Sequence, residues 1–340
     1  MSLTEKDSQY LWHPYTQHKT ASAPIAITKG KGALLWDENG KEYIDAIASW
    51  WVNPYGHSNT FIADAIYKQL TTLEHVLFGG FTHEPAVEVA EKLVTILPNN
   101  QQKLFFSDNG STAVEIAIKV ALQYFFNKGE KRTTIIAFEN AFHGDTFAAM
   151  AASGISLFTD AFQGMFIDVV RIPVPVVGQE EVSFSALAKA LKNHDCAGFI
   201  FEPLVQGAAG MVMYEPDALD TLIQMCKANN VLTIADEVMT GFGKTGKTFA
   251  SDYLVEQPDM MCLSKALTGG TIPMAITTFT QEIFDAFYDE DINKALFHGH
   301  TFTANPTGCA AALASLELLQ TPEMQANLVR VNAKHLAFEK

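Results

Sequence analysis

Two side chains in this sequence stand where they could share one piece of chemistry. The first is Lys265, in Met260-Met261-Cys262-Leu263-Ser264-Lys265-Ala266-Leu267-Thr268-Gly269-Gly270. An apolar run ends at Ser264, the lysine follows, and the two later glycines let backbone approach a ligand closely. The second is Asp236, which closes the run Val231-Leu232-Thr233-Ile234-Ala235 and precedes Glu237-Val238. An amine that can condense with an aldehyde, and a carboxylate that can keep a ring nitrogen protonated, together suit a pyridoxal phosphate site. Taken singly, each has an ordinary explanation. A lysine after a strand is usually solvated, and an aspartate there often caps a helix.

Other groups follow apolar runs in the same way. Lys103-Leu104-Phe105-Phe106-Ser107 leads into Asp108-Asn109-Gly110-Ser111-Thr112, which opens a helix expected over 113–126. Free N–H groups, a positive dipole end and two hydroxyls make a phosphate cup there, or else an ordinary N-cap. Phe142-His143-Gly144 follows the strand near Ile136. That pair could stack on a flat ring, or the histidine could be satisfied by loop backbone. Glu202-Pro203 ends the strand Cys196-Ala197-Gly198-Phe199-Ile200-Phe201 and offers a polar anchor. Trp50-Trp51, before a loop with glycine and proline, reads equally as core and as pocket wall.

The elements that must position these groups alternate. Strands are expected near 103, 133, 167, 197, 231, 260 and 275, with helices between them. This predicts a largely parallel α/β sheet with ligands at the strand carboxyl ends. Ahead of it, Asp37-Glu38-Asn39-Gly40-Lys41 reads as the turn of a small antiparallel hairpin. Helices are expected over 60–98 around a loop at 78–83, and over 185–191, 216–229, 281–288 and 307–319. A long loop is expected over 153–179.

Length and composition narrow the classes. The 340 residues allow about two domains, and 48% hydrophobic with 18% charged residues is ordinary for a globular protein. A net charge of −15 disfavours nucleic acid as a partner. Cys196, Cys226, Cys262 and Cys309 form no C-x-x-C pair, so neither a metal site nor a disulfide framework is indicated. No apolar run is long enough to span a bilayer, and no signal-peptide pattern stands at the start, so a reducing cytoplasm is expected.

From Ile234-Ala235-Asp236-Glu237-Val238 through Gly241-Phe242-Gly243 to the lysine segment, the chain resembles the class III (ω-type) pyridoxal phosphate aminotransferases of fold type I. The resemblance covers nearly the whole length. Trp12-His13-Pro14-Tyr15-Thr16, Ser49-Trp50-Trp51, His75-Val76-Leu77-Phe78-Gly79-Gly80-Phe81-Thr82-His83 and Ala266-Leu267-Thr268-Gly269-Gly270-Thr271 resemble the branch that serves biotin synthesis. The resemblance implies a large domain on a mainly parallel seven-stranded sheet, residues 53–320, and a small α+β domain. Residues 1–52 and 321–340 would belong to the small domain. It implies pyridoxal 5'-phosphate as cofactor. The implied activity is transfer of an amino group from S-adenosylmethionine to 8-amino-7-oxononanoate, giving 7,8-diaminononanoate, in a cytoplasmic homodimer with shared active sites. Alternatives are another ω-amine or diamine transaminase, lysine as donor, or a truncated inactive form.

Residue by residue, the resemblance implies Lys265 as the Schiff-base lysine and proton shuttle, and Asp236 as the partner of the pyridine nitrogen. Gly110, Ser111 and Thr301 hold the phosphate, Thr301 from the other subunit. Phe142 and Val238 face the two sides of the ring, with His143 and Glu202 beside the cofactor. Tyr15, Trp50, Trp51, Phe142 and Gly299 line the substrate pocket. The chain departs from the family pattern at Phe142, usually tyrosine, at Lys244, usually arginine, and at His300, often proline. Family members continue into a C-terminal segment with a carboxylate-binding arginine. Arg132, Arg171 and Arg330 are this chain's only arginines and none matches it, so weaker cofactor binding and poor turnover are expected of a chain ending at Lys340.

Overall fold

Runs of four to six largely apolar residues pair inside a covered sheet, and seven strands do so here, the central five buried almost throughout and the two at the edges only in part. The computed structural model describes residues 1–338. A small antiparallel sheet comes first, from β1 (Ile27–Lys31), β2 (Leu34–Asp37) and β3 (Glu42–Ile44). The central sheet is built from β4 (Lys103–Ser107), β5 (Thr134–Phe138), β6 (Val169–Ile172) and β7 (Cys196–Phe201). After a two-stranded ribbon, β8 (Val205–Gln206) and β9 (Val212–Met213), it is completed by β10 (Leu232–Asp236), β11 (Met260–Leu263) and β12 (Ala275–Phe279). The order across the sheet is β4-β12-β11-β10-β7-β5-β6. Only β12 runs antiparallel to its neighbours.

Helices cover both faces. The helix Gly110–Asn127 buries Val114, Ile118, Ala121 and Phe125 against one face. On the other, Phe138, Phe199 and Phe201 pack with Leu219, Leu222 and Ile223 of the helix Pro216–Ala228. The alanine-rich helix Pro306–Leu319 is buried along most of its length. Register sets Asp236 opposite Cys262 on β11, so the turn that begins at Lys265 stands just above the aspartate.

Several boundaries differ from expectation. The helix expected over 113–126 starts at Gly110, because Asn109 caps it: its side chain accepts from Thr112 N at 3.0 Å while Thr112 Oγ1 accepts from Asn109 N at 3.2 Å. The helix expected over 185–191 spans Glu180–Asn193, and that expected over 281–288 closes at Asp285. The stretch 153–179 holds a short helix, Ser156–Thr159, and a 3-10 turn as well as β6. Helix Leu3–Tyr10 precedes the polar arm, started by a Ser2–Glu5 capping box. In the segment 321–340, Pro322–Phe338 is helical and residues 339–340 lie outside the described residues. Among the described residues no helix is long and apolar enough to cross a membrane.

Candidate active site

The strand ends converge on one cavity of about 820 Å³. Tyr15, Trp50, Trp51, Gly110, Ser111, Phe142, His143, Glu202, Asp236, Val238 and Lys265 all line it. Gly299 and Thr301 do not: they stand exposed on the loop before helix Pro306–Leu319, outside the cavity of this chain.

Asp236 ends β10 and is buried. Its Oδ2 lies 2.7 Å from Nδ1 of His143, and its Oδ1 accepts from Val238 N at 3.1 Å. The histidine therefore grips the carboxylate rather than loop backbone. Its own backbone N–H donates to Ser153 Oγ at 2.9 Å, which fixes the ring's place. Glu202, just past β7, receives the backbone N–H groups of Phe142 and Gly207 at 3.0 and 2.9 Å. It thereby pins the aromatic loop. Burial pushes its carboxyl up to about 6.

Lys265 opens a 3-10 turn after β11 with φ at 52°, the left-handed region that costs a side-chain-bearing residue about 1–2 kcal/mol. Its Nζ lies 5.1 Å from the ring centroid of Trp51. Burial lowers the amine's pKa below the ordinary lysine value, against the opposing pull of Asp236 and Glu202 and with help from the cationic Lys244. An amine so placed keeps a larger neutral fraction for nucleophilic and basic work.

The cup at the start of helix Gly110–Asn127 is walled by close approach. A Cβ at Gly110 would meet Val238 Cγ1 at 2.6 Å, and one at Gly144 would meet Ser111 Oγ at 2.2 Å. Ser111 Oγ accepts from Thr146 N at 2.9 Å and pairs with Thr146 Oγ1 at 2.8 Å. Glu115 accepts from Thr146 Oγ1, Ala148 N and Ala149 N, which holds the start of helix Phe147–Ala152 against the cup.

The aromatic wall is built in an unusual way. Ala48, Ser49, Trp50 and Trp51 have φ of 47°, 50°, 67° and 64°, and Trp51 N and Val52 N donate to Ile47 O and Ala48 O at 2.8 and 3.0 Å. This is one turn of left-handed helix without a glycine. Tyr15 meets Trp50 edge-on at 5.6 Å between centroids and Phe158 at 5.4 Å, and its hydroxyl donates to Asp145. Asp145, Glu115 and Thr146 were not singled out in the sequence. Only the nearness of Asp145 and Thr146 to His143-Gly144 pointed to them.

Residues 15–337 match the family "Aminotransferase class-III". The chain is 48% identical over 322 residues to the adenosylmethionine-8-amino-7-oxononanoate aminotransferase of Synechococcus elongatus, covering 92% of this chain and 76% of the relative. It is 39% identical over 344 residues to the protein of that name from Staphylococcus aureus, covering 96% and 76%. The crystal structure of the adenosylmethionine-8-amino-7-oxononanoate aminotransferase from Methanocaldococcus jannaschii matches with a TM-score of 0.91 at 38% identity, over 98% of this chain and 77% of that one. The omega transaminase of Pseudomonas jessenii in complex with PMP matches with a TM-score of 0.86 at 31% identity, over 96% and 76%. The family match over residues 15–337, the identities and the TM-score of 0.91 agree, and the chain belongs to the class-III aminotransferases, pyridoxal phosphate-dependent enzymes of fold type I.

Proposed function

We propose that this chain transfers an amino group from S-adenosylmethionine to 8-amino-7-oxononanoate, giving 7,8-diaminononanoate for biotin synthesis. The observation that carries the reading is the tryptophan wall over the catalytic amine, with Lys265 Nζ 5.1 Å from the Trp51 ring and Trp50 beside it. Relatives at 48% and 39% identity bear the name of this enzyme. A long apolar acceptor chain suits such a wall.

The residues present fit pyridoxal phosphate. Gly110 and Ser111, at the N-terminus of the helix Gly110–Asn127, line the cavity where a phosphate would sit, and Asp236 faces the same cavity while buried. Bound there, the cofactor supplies an aldehyde carbon that amines condense with and a ring that withdraws electrons from the substrate carbon. In this reading Gly110 and Ser111 hold the phosphate. Phe142 and Val238 would enclose the ring, and Asp236, steadied by His143, would offer its carboxylate to the ring nitrogen. Glu202 keeps Phe142 in place through its backbone N–H. Lys265 would hold the cofactor through its amine and would take and return a proton at Nζ. Tyr15, Trp50 and Trp51 exclude water and orient the substrate chain.

Gly299 and Thr301 lie outside this chain's cavity. We assign them to the neighbouring site of a homodimer, where the exposed Phe297 and Phe302 on the same loop support burial by a second copy. The small sheet β1–β3 with the helix Pro322–Phe338 is assigned to the small domain. The four buried, unpaired cysteines support a reducing cytoplasm.

The test is product formation. With S-adenosylmethionine and 8-amino-7-oxononanoate, mass spectrometry is expected to find 7,8-diaminononanoate. A second reading, another ω-amine transaminase, is disfavoured by the tryptophan pair and is separated by its donors. Turnover of ornithine or 4-aminobutyrate, with no diamine formed from S-adenosylmethionine or lysine, would establish it.

A further inference from the structure

The left-handed turn Ala48–Trp51 lacks the usual means of holding strain. None of its residues is buried, and Trp50 is 53% exposed, so core packing does not enforce it. It contains no glycine, although glycine is the residue that adopts such φ values freely. Beyond its own backbone bonds and the edge contact of Trp50 with Tyr15, a single carboxylate grips it. Asp45 Oδ1 accepts from Ser49 N at 3.0 Å, and Oδ2 accepts from Ser49 Oγ at 2.7 Å. The same Oδ2 lies 2.8 Å from His57 Nε2, and His57 Nδ1 lies 3.1 Å from Asn53 Nδ2 beyond the turn.

His57 is itself tied to the small sheet. Its backbone exchanges two hydrogen bonds with Gly32, at 2.8 and 3.1 Å. A Cβ at Gly30 would meet His57 Cβ at 2.8 Å, so the hairpin closes directly on this histidine. A chain of contacts therefore runs from β1 and β2 through His57 and Asp45 to Ser49 and the tryptophan pair.

We propose that Asp45 and His57 are a positioning pair, which holds the turn Ala48–Trp51 left-handed and so fixes where Trp50 and Trp51 stand against the acceptor substrate. Neither residue touches the reacting atoms. The inference rests on the assignment of the tryptophans to the acceptor's wall.

The experiment uses the full chain with cofactor and three variants: Asp45→Ala, Ser49→Ala and the double variant Asp45→Ala with Ala48→Gly. Two quantities are read. One is the near-ultraviolet circular dichroism of the substrate-free protein, to which two of the chain's four tryptophans belong in this turn. The other is KM for 8-amino-7-oxononanoate against kcat. Asp45→Ala is expected to change the tryptophan band and raise KM about tenfold, with kcat changed far less. The added glycine supplies the left-handed conformation without the clamp and is expected to restore most of both. An unchanged band and KM in Asp45→Ala overturns the proposal, as does a double variant no better than the single. Where Asp45→Ala fails to fold, Ser49→Ala decides: a smaller shift of both readouts in the same direction supports the clamp, and none refutes it. A wild-type chain that does not use this acceptor sinks the functional reading, while the dichroism still judges the clamp.

Discussion

His143 and Asp236 are 93 positions apart in the chain, yet Nδ1 of one lies 2.7 Å from Oδ2 of the other, with both side chains buried. A carboxylate can only accept here, so Nδ1 carries the proton and donates it. The bond fixes the plane of the carboxylate and leaves Val238 N as the donor on the other oxygen. In His143→Ala, Oδ2 loses its partner inside a buried site, at a cost of about 1–3 kcal/mol. Most of that is expected to appear as weaker cofactor binding, about 10- to 100-fold in Kd. Fluorescence titration of the cofactor-free protein with pyridoxal phosphate measures it. An unchanged Kd would show that Asp236 needs no orienting partner.

The walls of the phosphate cup make a second expectation. An alanine at 110 would set its Cβ 2.6 Å from Val238 Cγ1. Position 110 is the first residue of a helix, so its backbone tolerates alanine and only the contact is at stake. Overpacking of this kind costs about 1–3 kcal/mol. Gly110→Ala is expected to lower the urea midpoint by that amount and to weaken cofactor binding. Adding Val238→Ala removes the clash and is expected to recover the midpoint. Failure of that recovery would locate the damage elsewhere in the cup.

Glu202 carries a pH dependence whose sign follows from its burial. Its folded-state pKa is raised from 4.5 to about 6. The protonated form is thus favoured by folding. The contribution is fully present below pH 4.5 and is lost as pH rises through about 6, a change of about 2 kcal/mol. In Glu202→Gln that slope is expected to disappear from the cofactor-free protein. The amide can accept only one of the two backbone donors, from Phe142 and Gly207, so one hydrogen bond worth about 1 kcal/mol is lost at every pH. Urea unfolding at pH 4.5, 5.5 and 7 separates the two effects. A slope identical to wild type would mean the titrating group is another.

The parts of the site that could be read from the sequence share one feature. Asp236, Glu202, the Gly110-Ser111 turn and Lys265 each lie at or just past the end of a partly or wholly buried strand, and in a parallel sheet such ends face one edge. What could not be read depends on contacts distant in the chain. The pairing of His143 with Asp236 has no local signal. The start of the helix at Gly110 was obscured because glycine reads as a turn, while the cap that sets the boundary is Asn109. The left-handed turn at Ala48–Trp51 opposes the local preference of every residue in it, and the Asp45–His57 contact beside it joins positions 12 apart that no local pattern pairs.

Lys265 is the place where stability and chemistry should part. Burial disfavours the ammonium form of Lys265, the amine has no salt-bridge partner among the described residues, and the residue is held at φ 52°. Replacement by alanine removes the buried amine and deletes little packing that the fold needs. Lys265→Ala is therefore expected to leave the urea midpoint of the cofactor-free protein unchanged or higher, as for strained functional residues generally. Loss of the proton shuttle alone is expected to lower kcat by about 10² to 10⁴. The covalent link goes with it: after borohydride reduction, mass spectrometry should find the pyridoxyl mass on the peptide bearing Lys265 in wild type and nowhere in the variant. A lower midpoint would assign the lysine a part in holding the fold. A pyridoxyl mass on another lysine would move the site.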